Sequence, residues 1–222
     1  MNHRWDFATV FANLDVLGAG LLGTLQLFVI CALAGLALGL FIGLWRQAAS
    51  PWVRLPATVF VEFFRNTPVL VQILWFYFAL PILSPFTISP LAASALGISL
   101  NSAAFTGEIV RGGIQSIDRG QWEAARAIGM TPAASMRRIV LPQALRRMIP
   151  ALTNRLIEIF KMTTLASTVA YVDLLQQGKL LSSLYFNPIE TYTVIGVIFF
   201  VALFPLVQLT YLIERRLAQA DA

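Results

Sequence analysis

The sequence predicts an all-α, polytopic membrane protein with five transmembrane helices. Of its 222 residues, 58% are hydrophobic and only 12% are charged, about half the charge of an ordinary soluble domain. Three long runs, 18–45, 66–107 and 191–213, contain no charged residue. A helix of about 20 apolar residues crosses the bilayer core, and only helices or closed barrels satisfy backbone polar groups in lipid. The sequence lacks the alternating ten-residue segments of a barrel.

The first span is predicted over 18–45, the first of these uncharged runs. Residues 1–17 mix polar and aromatic side chains and are assigned to an external segment, which could form a short interfacial helix. A short basic loop with prolines follows the first span and ends before the second span, predicted over 58–80.

Prolines divide the longest uncharged run. Pro81, Pro85 and Pro90 are strong breakers of helical structure. They predict a turn over 82–89 and a third span over 90–110.

The second half of the chain has weaker apolar signals. A polar, arginine-rich loop over 111–149 precedes the fourth span, predicted over 150–172, whose apolar signal is the weakest in the chain. A polar loop and the fifth span, over 191–213, follow, and 216–222 form a tail.

The positions of lysine and arginine predict the orientation, because cytoplasmic loops carry an excess of both. With five spans, one side of the membrane receives Arg46, Arg54, Arg111, Arg119, Arg126, Arg137, Arg138, Arg146, Arg147, Arg215 and Arg216. The other side receives Arg4 and Lys179. We therefore expect the N-terminus outside and both the loop 111–149 and the C-terminus in the cytoplasm.

The long cytoplasmic loop is predicted to form a helical hairpin. Strong helix formers occupy 122–128, and Glu123 lies near the helix start, where a negative charge suits the helix dipole. Gly129 suits the left-handed residue that ends such a helix, and Thr131 followed by Pro132 is typical of the start of a second one. That second helix is expected to reach about 141, where the next proline kinks or restarts it. Taken alone, the loop could also be a merely solvated basic segment.

The same loop carries a spaced signature: E-A-A, three residues, G, nine residues, I-x-L-P. The residues are Glu123, Ala124, Ala125, Gly129, Ile139, Leu141 and Pro142. This pattern resembles the signature of the membrane subunits of binding-protein-dependent ABC importers. The resemblance implies that the loop contains the coupling helix, which docks into the ATP-hydrolysing subunit.

Two longer segments narrow the resemblance. Residues 65–72, RNTPVLVQ, and 100–117, which include Asn101, look like the permeases for polar amino acids such as histidine, arginine, glutamine and glutamate. The resemblance implies a type I (MetI-like) permease fold in the bacterial inner membrane and transport by alternating access. It also implies two ATPase subunits, a second identical or paralogous permease, and a periplasmic or lipid-anchored binding protein. ATP and Mg²⁺ would bind to the ATPases, with no cofactor in this chain.

Ionisable residues within predicted spans are costly and normally face a cavity or a partner. The substrate-path hypothesis comprises the ionisable Arg155, Glu158 and Lys161 and the polar Asn101 and Asn154. Arg155, Glu158 and Lys161 are spaced i, i+3, i+6, so neighbours can pair along one side. Either Arg155 or Lys161 meets a substrate carboxylate, or the set forms structural ion pairs with snorkelling side chains. Glu62, Arg65 and Glu108 are assigned a structural or gating role on the same grounds.

The chain departs from the family pattern at three positions. Phe105 stands where Tyr is usual, Arg155 where an acidic residue is frequent, and Met162 where Asp is frequent. The charge reversal at Arg155 favours an acidic or neutral substrate over a basic one.

Several functions find no support in the sequence. It has no P-loop, no Cys/His metal cluster and no Ser-His pair for acyl transfer. An enzyme is therefore not expected, and because topology accounts for the +5 net charge, neither is a nucleic-acid partner. Three alternatives stay open: a secondary transporter driven by an ion gradient, a membrane scaffold, and an ABC permease for an opine or compatible solute.

Overall fold

The computed structural model describes residues 5–85 and 87–220, with the backbone alone for 217–220. These residues contain helices and no strand, which confirms the all-α prediction. The α-helices are α1 (Ala8–Phe11), α2 (Leu14–Trp45), α3 (Pro51–Asn66), α4 (Val69–Leu74), α5 (Leu80–Leu83), α6 (Pro90–Gln115), α7 (Arg119–Ala127), α8 (Pro132–Ser135), α9 (Leu141–Met162), α10 (Leu174–Tyr185) and α11 (Pro188–Ala220). Trp75–Ala79 and Met136–Val140 are π-helical, and Thr163–Val169 form a 3₁₀-helix.

Among the described residues, α2 and the Pro188–Arg216 part of α11 are long and apolar enough to cross a membrane. A third crossing is added if the bent pair of α3 and Val69–Leu83 counts as one. The helices α6 and α9 fall short because polar and charged residues interrupt their apolar sequence. Five spans therefore remain a prediction.

The second span, expected over 58–80, is not one helix. The helix α3 already begins at Pro51, and extended backbone at Thr67 (ψ 138°) and Pro68 (ψ 131°) separates it from α4. Proline disfavours helical conformation in the preceding residue and has no N–H to continue the helix. Pro68 therefore divides the expected span into two helices.

The fourth span, expected over 150–172, also has different bounds. The helix α9 begins at Leu141, passes through Pro150 and ends at Met162, where the 3₁₀-helix takes over. Ala170 then adopts the left-handed conformation, with φ 57°. Pro150, the first residue of the expected span, lies within the helix.

Both predicted terminal segments extend beyond the described residues. Of 1–17, residues 1–4 lie outside them, and the remainder contains α1 and the start of α2. Of the tail 216–222, residues 221 and 222 lie outside them, and α11 continues to Ala220.

The chain divides into two compact units. Unit 1 comprises the described residues of 1–33, 68–99 and 157–208, and unit 2 those of 34–67, 100–156 and 209–222. The core of unit 1 contains Val10, Leu17, Leu174, Leu181 and Ile195. One core cluster of unit 2 contains Ile42, Ala57, Val61, Ala103 and Ala104.

In unit 1, the segment before α10 lies directly on α2. The Tyr171 hydroxyl donates to the Gly23 carbonyl at 3.0 Å, and the Leu174 N–H donates to the Thr24 hydroxyl oxygen at 3.0 Å. A Cβ on Gly23 would lie only 2.1 Å from the Val172 carbonyl oxygen. Glycine at this position therefore permits the close approach of the two backbones.

Asp173 is the N-cap of α10. Its side-chain oxygen accepts a hydrogen bond from the Gln176 N–H at 2.6 Å, and the residue is fully buried. Burial disfavours the charged carboxylate and raises the pKa of Asp173 from 3.8 to about 6.

Candidate functional site

The hairpin, whose cytoplasmic side stays a prediction, begins with α7 and a tight turn at Gly129. Gly129 has φ +76°, the left-handed conformation expected from the sequence. Its N–H donates to the Arg126 carbonyl, and the Met130 N–H donates to the Ala125 carbonyl, both at 3.0 Å. This pair of bonds is a Schellman motif. The spacing between Ala125 and Gly129 in the signature therefore matches one helix C-terminus.

The second arm begins at Thr131, whose hydroxyl oxygen accepts from the Ala134 N–H at 3.3 Å. Pro132 occupies the first turn, as expected. The arm continues as α8, the π-helical turn Met136–Val140 and α9. Pro142 does not end this arm: it lies in the first turn of α9, just after the π-helical turn. Because Pro142 cannot donate to a carbonyl four residues earlier, an irregular turn before it is understandable.

The hairpin packs against the end of α6 through a hydrophobic core. The buried residues of this core are Val110, Ile114, Ile117, Val140, Ala144 and Met148. Trp122 of α7 and Met136 of the π-helical turn pack against it. The Gln143 amide donates to the Gln121 side-chain oxygen at 3.3 Å, which adds a polar link between the two arms. The hairpin is thus a packed element and not a loose loop.

Only part of the signature is exposed on the surface of the hairpin. Glu123 and Ala124 are exposed, whereas Ala125 is 1% exposed and packs inside its own unit. Ile128 is 75% exposed beside the glycine turn, a large apolar side chain that the signature does not single out. A shallow depression on α7 is lined by Arg119, Trp122, Glu123 and Arg126. Of the remaining signature residues, Ile139 and Leu141 are half-buried and Pro142 is exposed.

Asn101 lies in a buried polar cluster of unit 2. Its side-chain N–H donates to the Phe64 carbonyl at 2.7 Å. In a continuous helix this carbonyl would accept from residue 68, but Pro68 has no N–H. Asn101 therefore supplies the missing donor at the end of α3, a structural role that the sequence did not reveal.

Arg155 completes this cluster. Its Nη2 donates to Asn101 Oδ1 at 2.9 Å and to the Ser102 hydroxyl at 3.2 Å. Its guanidinium carbon lies 4.5 Å from the centre of the Phe105 ring, a cation–π contact. Arg155 is only 3% exposed. Two of the three departures from the family pattern, Arg155 and Phe105, are thus in direct contact.

The other residues of the substrate-path hypothesis have a different environment. Asn154, Glu158 and Lys161 of α9 are exposed, and Lys161 lines an apolar groove with Phe160, Phe199 and Phe200. Arg155 is buried whereas Glu158 and Lys161 are exposed, so the three differ in burial, and pairing between neighbours stays a prediction. Steps of three residues advance along a helix by slightly less than a turn, so the face drifts.

Glu108 is the centre of an ion cluster in unit 2. It pairs with Arg46 at 2.5 Å, with Arg111, and more loosely with Arg65 at 3.9 Å. Of the three residues assigned a structural or gating role, the structure brings together Arg65 and Glu108. The exposed Glu62 instead accepts from the Asn66 amide at 3.0 Å. In the sequence, Arg46 contributes only to the predicted topology, because no neighbouring residue indicates its distant partner Glu108.

Residues 35–219 match the family described as "Binding-protein-dependent transport system inner membrane component". The chain belongs to this family. Its members are non-catalytic, multi-pass inner-membrane components of transport systems. This membership decides against the secondary-transporter and scaffold alternatives.

Named relatives cover nearly the whole chain. The arginine transport system permease protein ArtQ of Bacillus subtilis (strain 168) is 32% identical over 217 residues, covering 97% of this chain and 99% of the relative. The glutamine transport system permease protein GlnP of Escherichia coli (strain K12) is 32% identical over 215 residues, covering 96% and 98%.

Solved structures share the fold. The crystal structure of an amino acid ABC transporter with histidines matches with a TM-score of 0.91 and 34% identity, covering 96% of this chain and 100% of that chain. An inward-facing MetNI methionine ABC transporter matches with a TM-score of 0.72 and 24% identity, covering 94% and 96%, and supports the fold alone. The MetI-like fold expected from the sequence is thereby confirmed.

Proposed function

We propose that this chain is the permease subunit of an ABC importer for a polar amino acid. The observation that carries the proposal is the near-complete coverage of relatives named as arginine and glutamine permeases, together with the TM-score of 0.91 to an amino acid ABC transporter. The packed hairpin with its E-A-A signature fits the same function, because it offers an exposed helix for a partner.

In this proposal, the hairpin couples transport to ATP hydrolysis. Glu123, Ala124 and Ile128 are exposed and would meet the ATPase subunit. Ala125 and Gly129 would shape the turn that presents them. Ile139, Leu141 and Pro142 would connect the hairpin to α9, so that movement of the ATPase reaches the transmembrane part.

The assembled importer would contain two ATPase subunits, which bind ATP and Mg²⁺, and two permeases, identical or paralogous. A periplasmic or lipid-anchored binding protein would deliver the amino acid. The N-terminus lies outside and the C-terminus inside, on the distribution of lysine and arginine. ATP binding would close the ATPases and open the permeases outward, and hydrolysis would reset the inward-facing state, a cycle of alternating access.

For the substrate, we propose an acidic or neutral amino acid such as glutamate, aspartate or glutamine. The buried positive charge of Arg155, held by Asn101 and Ser102, supports this choice. In a low-dielectric surrounding, a fixed guanidinium repels a cationic substrate side chain and attracts an anionic one. The exposed Asn154, Glu158 and Lys161 are the further candidates for contact along the path.

The test is reconstitution of the complex in lipid. The chain would be co-expressed with the ATPase and the second permease encoded beside it, and purified. ATPase activity and uptake would then be measured with the binding protein and a panel of amino acids. We expect stimulation by glutamate, aspartate or glutamine and little by arginine or lysine. Preference for arginine would contradict the substrate class, and absence of ATPase association would contradict the importer itself.

A further inference from the structure

The Glu108 carboxylate is shared by arginines from different parts of unit 2. Arg46 Nη1 lies 2.5 Å from Glu108 Oε2, and Arg111 Nε donates to Glu108 Oε1 at 3.0 Å. Arg65 Nη1 lies 3.9 Å from Oε1. The Arg46 side chain is 9% exposed and the Glu108 side chain 24%. Partly buried charges of this kind depend on their partners, because water does not replace them.

The positions of these residues along the helices are informative. Arg46 directly follows the last residue of α2, and Arg65 is the last residue but one of α3. Glu108 and Arg111 lie in the final turns of α6, which ends at Gln115. The cluster therefore joins the ends of three helices at one carboxylate.

The same end of α6 carries the hairpin. Val110 and Ile114 of α6 belong to the core against which Trp122 of α7 packs. Arg147 of α9 donates to the Ser116 carbonyl, just after α6. The hairpin is thus packed against the same end of α6 that contains Glu108.

We propose that Glu108 is a positioning residue for coupling, which transmits movement of the hairpin to the ends of α2 and α3. The inference rests on the proposed importer function. A carboxylate suits this role because its two oxygens accept several charged hydrogen bonds at once. Glutamine has the same shape, but it has one acceptor oxygen and no charge.

The experiment compares Glu108→Gln with Glu214→Gln, which removes a carboxylate from unit 2 outside the cluster. Both variants are reconstituted with the ATPase, the second permease and the binding protein. The measured quantity is the number of ATP molecules hydrolysed per amino acid imported. We expect Glu108→Gln to raise this ratio about fivefold or more, the scale of a typical coupling free energy between sites. Glu214→Gln should leave it unchanged.

A second variant separates positioning from folding. Arg46→Lys keeps the charge but loses the planar guanidinium, so the complex should assemble normally. Arg46→Lys should raise the number of ATP molecules hydrolysed per amino acid imported, as Glu108→Gln does. Glu108→Asp keeps the carboxylate and should give a ratio between those of Glu108→Gln and the native chain. An unchanged ratio in both Arg46→Lys and Glu108→Gln would overturn the inference. If the unmodified chain shows no ATPase coupling, the proposed function itself fails.

Discussion

The side-chain amide of Asn101 donates to the backbone carbonyl of Phe64 across 2.7 Å, where the helix has lost its own donor to Pro68. A buried carbonyl without a partner costs about 1–3 kcal/mol. We expect Asn101→Leu to lower the free energy of unfolding by at least this amount, because the buried Arg155 loses its Asn101 acceptor as well. Asn154→Leu is the matched control, since Asn154 is exposed. Thermal unfolding of the purified complex measures both, and equal effects would contradict the role given to Asn101.

Arg155 allows a test of substrate choice. Replacing Arg155 with glutamine removes the buried charge. Phe105→Tyr keeps this charge and instead restores the tyrosine that is usual in the family at that position. We expect Arg155→Gln to raise uptake of arginine relative to glutamate by about tenfold, equivalent to about 1.4 kcal/mol. Competition uptake with the two labelled amino acids gives this ratio directly. A native ratio in Arg155→Gln would show that its charge does not select the substrate.

Two substitutions of Gly129 distinguish the effect of backbone conformation on coupled transport from the effect of charge. No atom lies within 4 Å of a Cβ built at this residue, so a side chain is limited only by the left-handed φ of +76°. Asparagine and aspartate both tolerate that conformation better than other residues. We therefore expect Gly129→Asn to keep most coupled transport. Gly129→Asp places a negative charge on the proposed docking surface and is expected to uncouple ATP hydrolysis from uptake. Both should insert into the membrane normally. Equal uptake by the two variants would argue against docking at this turn.

Gly23 is a test of close packing in unit 1. An alanine Cβ there would come within 2.1 Å of the Val172 carbonyl oxygen, whereas Gly18 has no atom within 4 Å of its Cβ position. Gly23→Ala should therefore destabilise the protein by about 1–3 kcal/mol. Gly18→Ala should stay within about 0.5 kcal/mol of the native chain. Thermal unfolding in detergent distinguishes them, and an equally small effect at both glycines would disprove the contact.

The raised pKa of Asp173 predicts that the stability of the protein depends on pH. Its pKa in the folded chain is raised to about 6 by burial, above the ordinary 3.8. The folded state therefore binds the proton more tightly, and stability falls as pH rises from about 4 to about 6. The full loss is about 3 kcal/mol at pH 7. Asp173→Asn keeps a side-chain cap and removes this titration. The melting temperature of the variant, relative to the native chain, should rise across this pH range. A difference that does not vary with pH would refute the assignment.

Local chemistry accounts for the features that the sequence predicts well. The turn at Gly129 and the cap at Thr131 depend on residues a few positions apart, so their conformations follow from the sequence. The helix break at Thr67 and Pro68 also has a local cause, the proline itself. It lies within a long apolar run, which predicts one continuous span. By contrast, the partners of Asn101, Arg155 and Glu108 lie far along the chain. No periodicity in one segment identifies them, and only the packed structure does.

The order of the buried polar clusters along the chain bears on how the protein enters the membrane during synthesis. When Glu108 leaves the ribosome, Arg46 and Arg65 have already been made. When Arg155 follows, Asn101 and Ser102 are already in place. Glu108 of α6 and Arg155 of α9 thus have partners among residues that precede them in the chain. The segments that carry these partners are therefore synthesised before the two helices that need them.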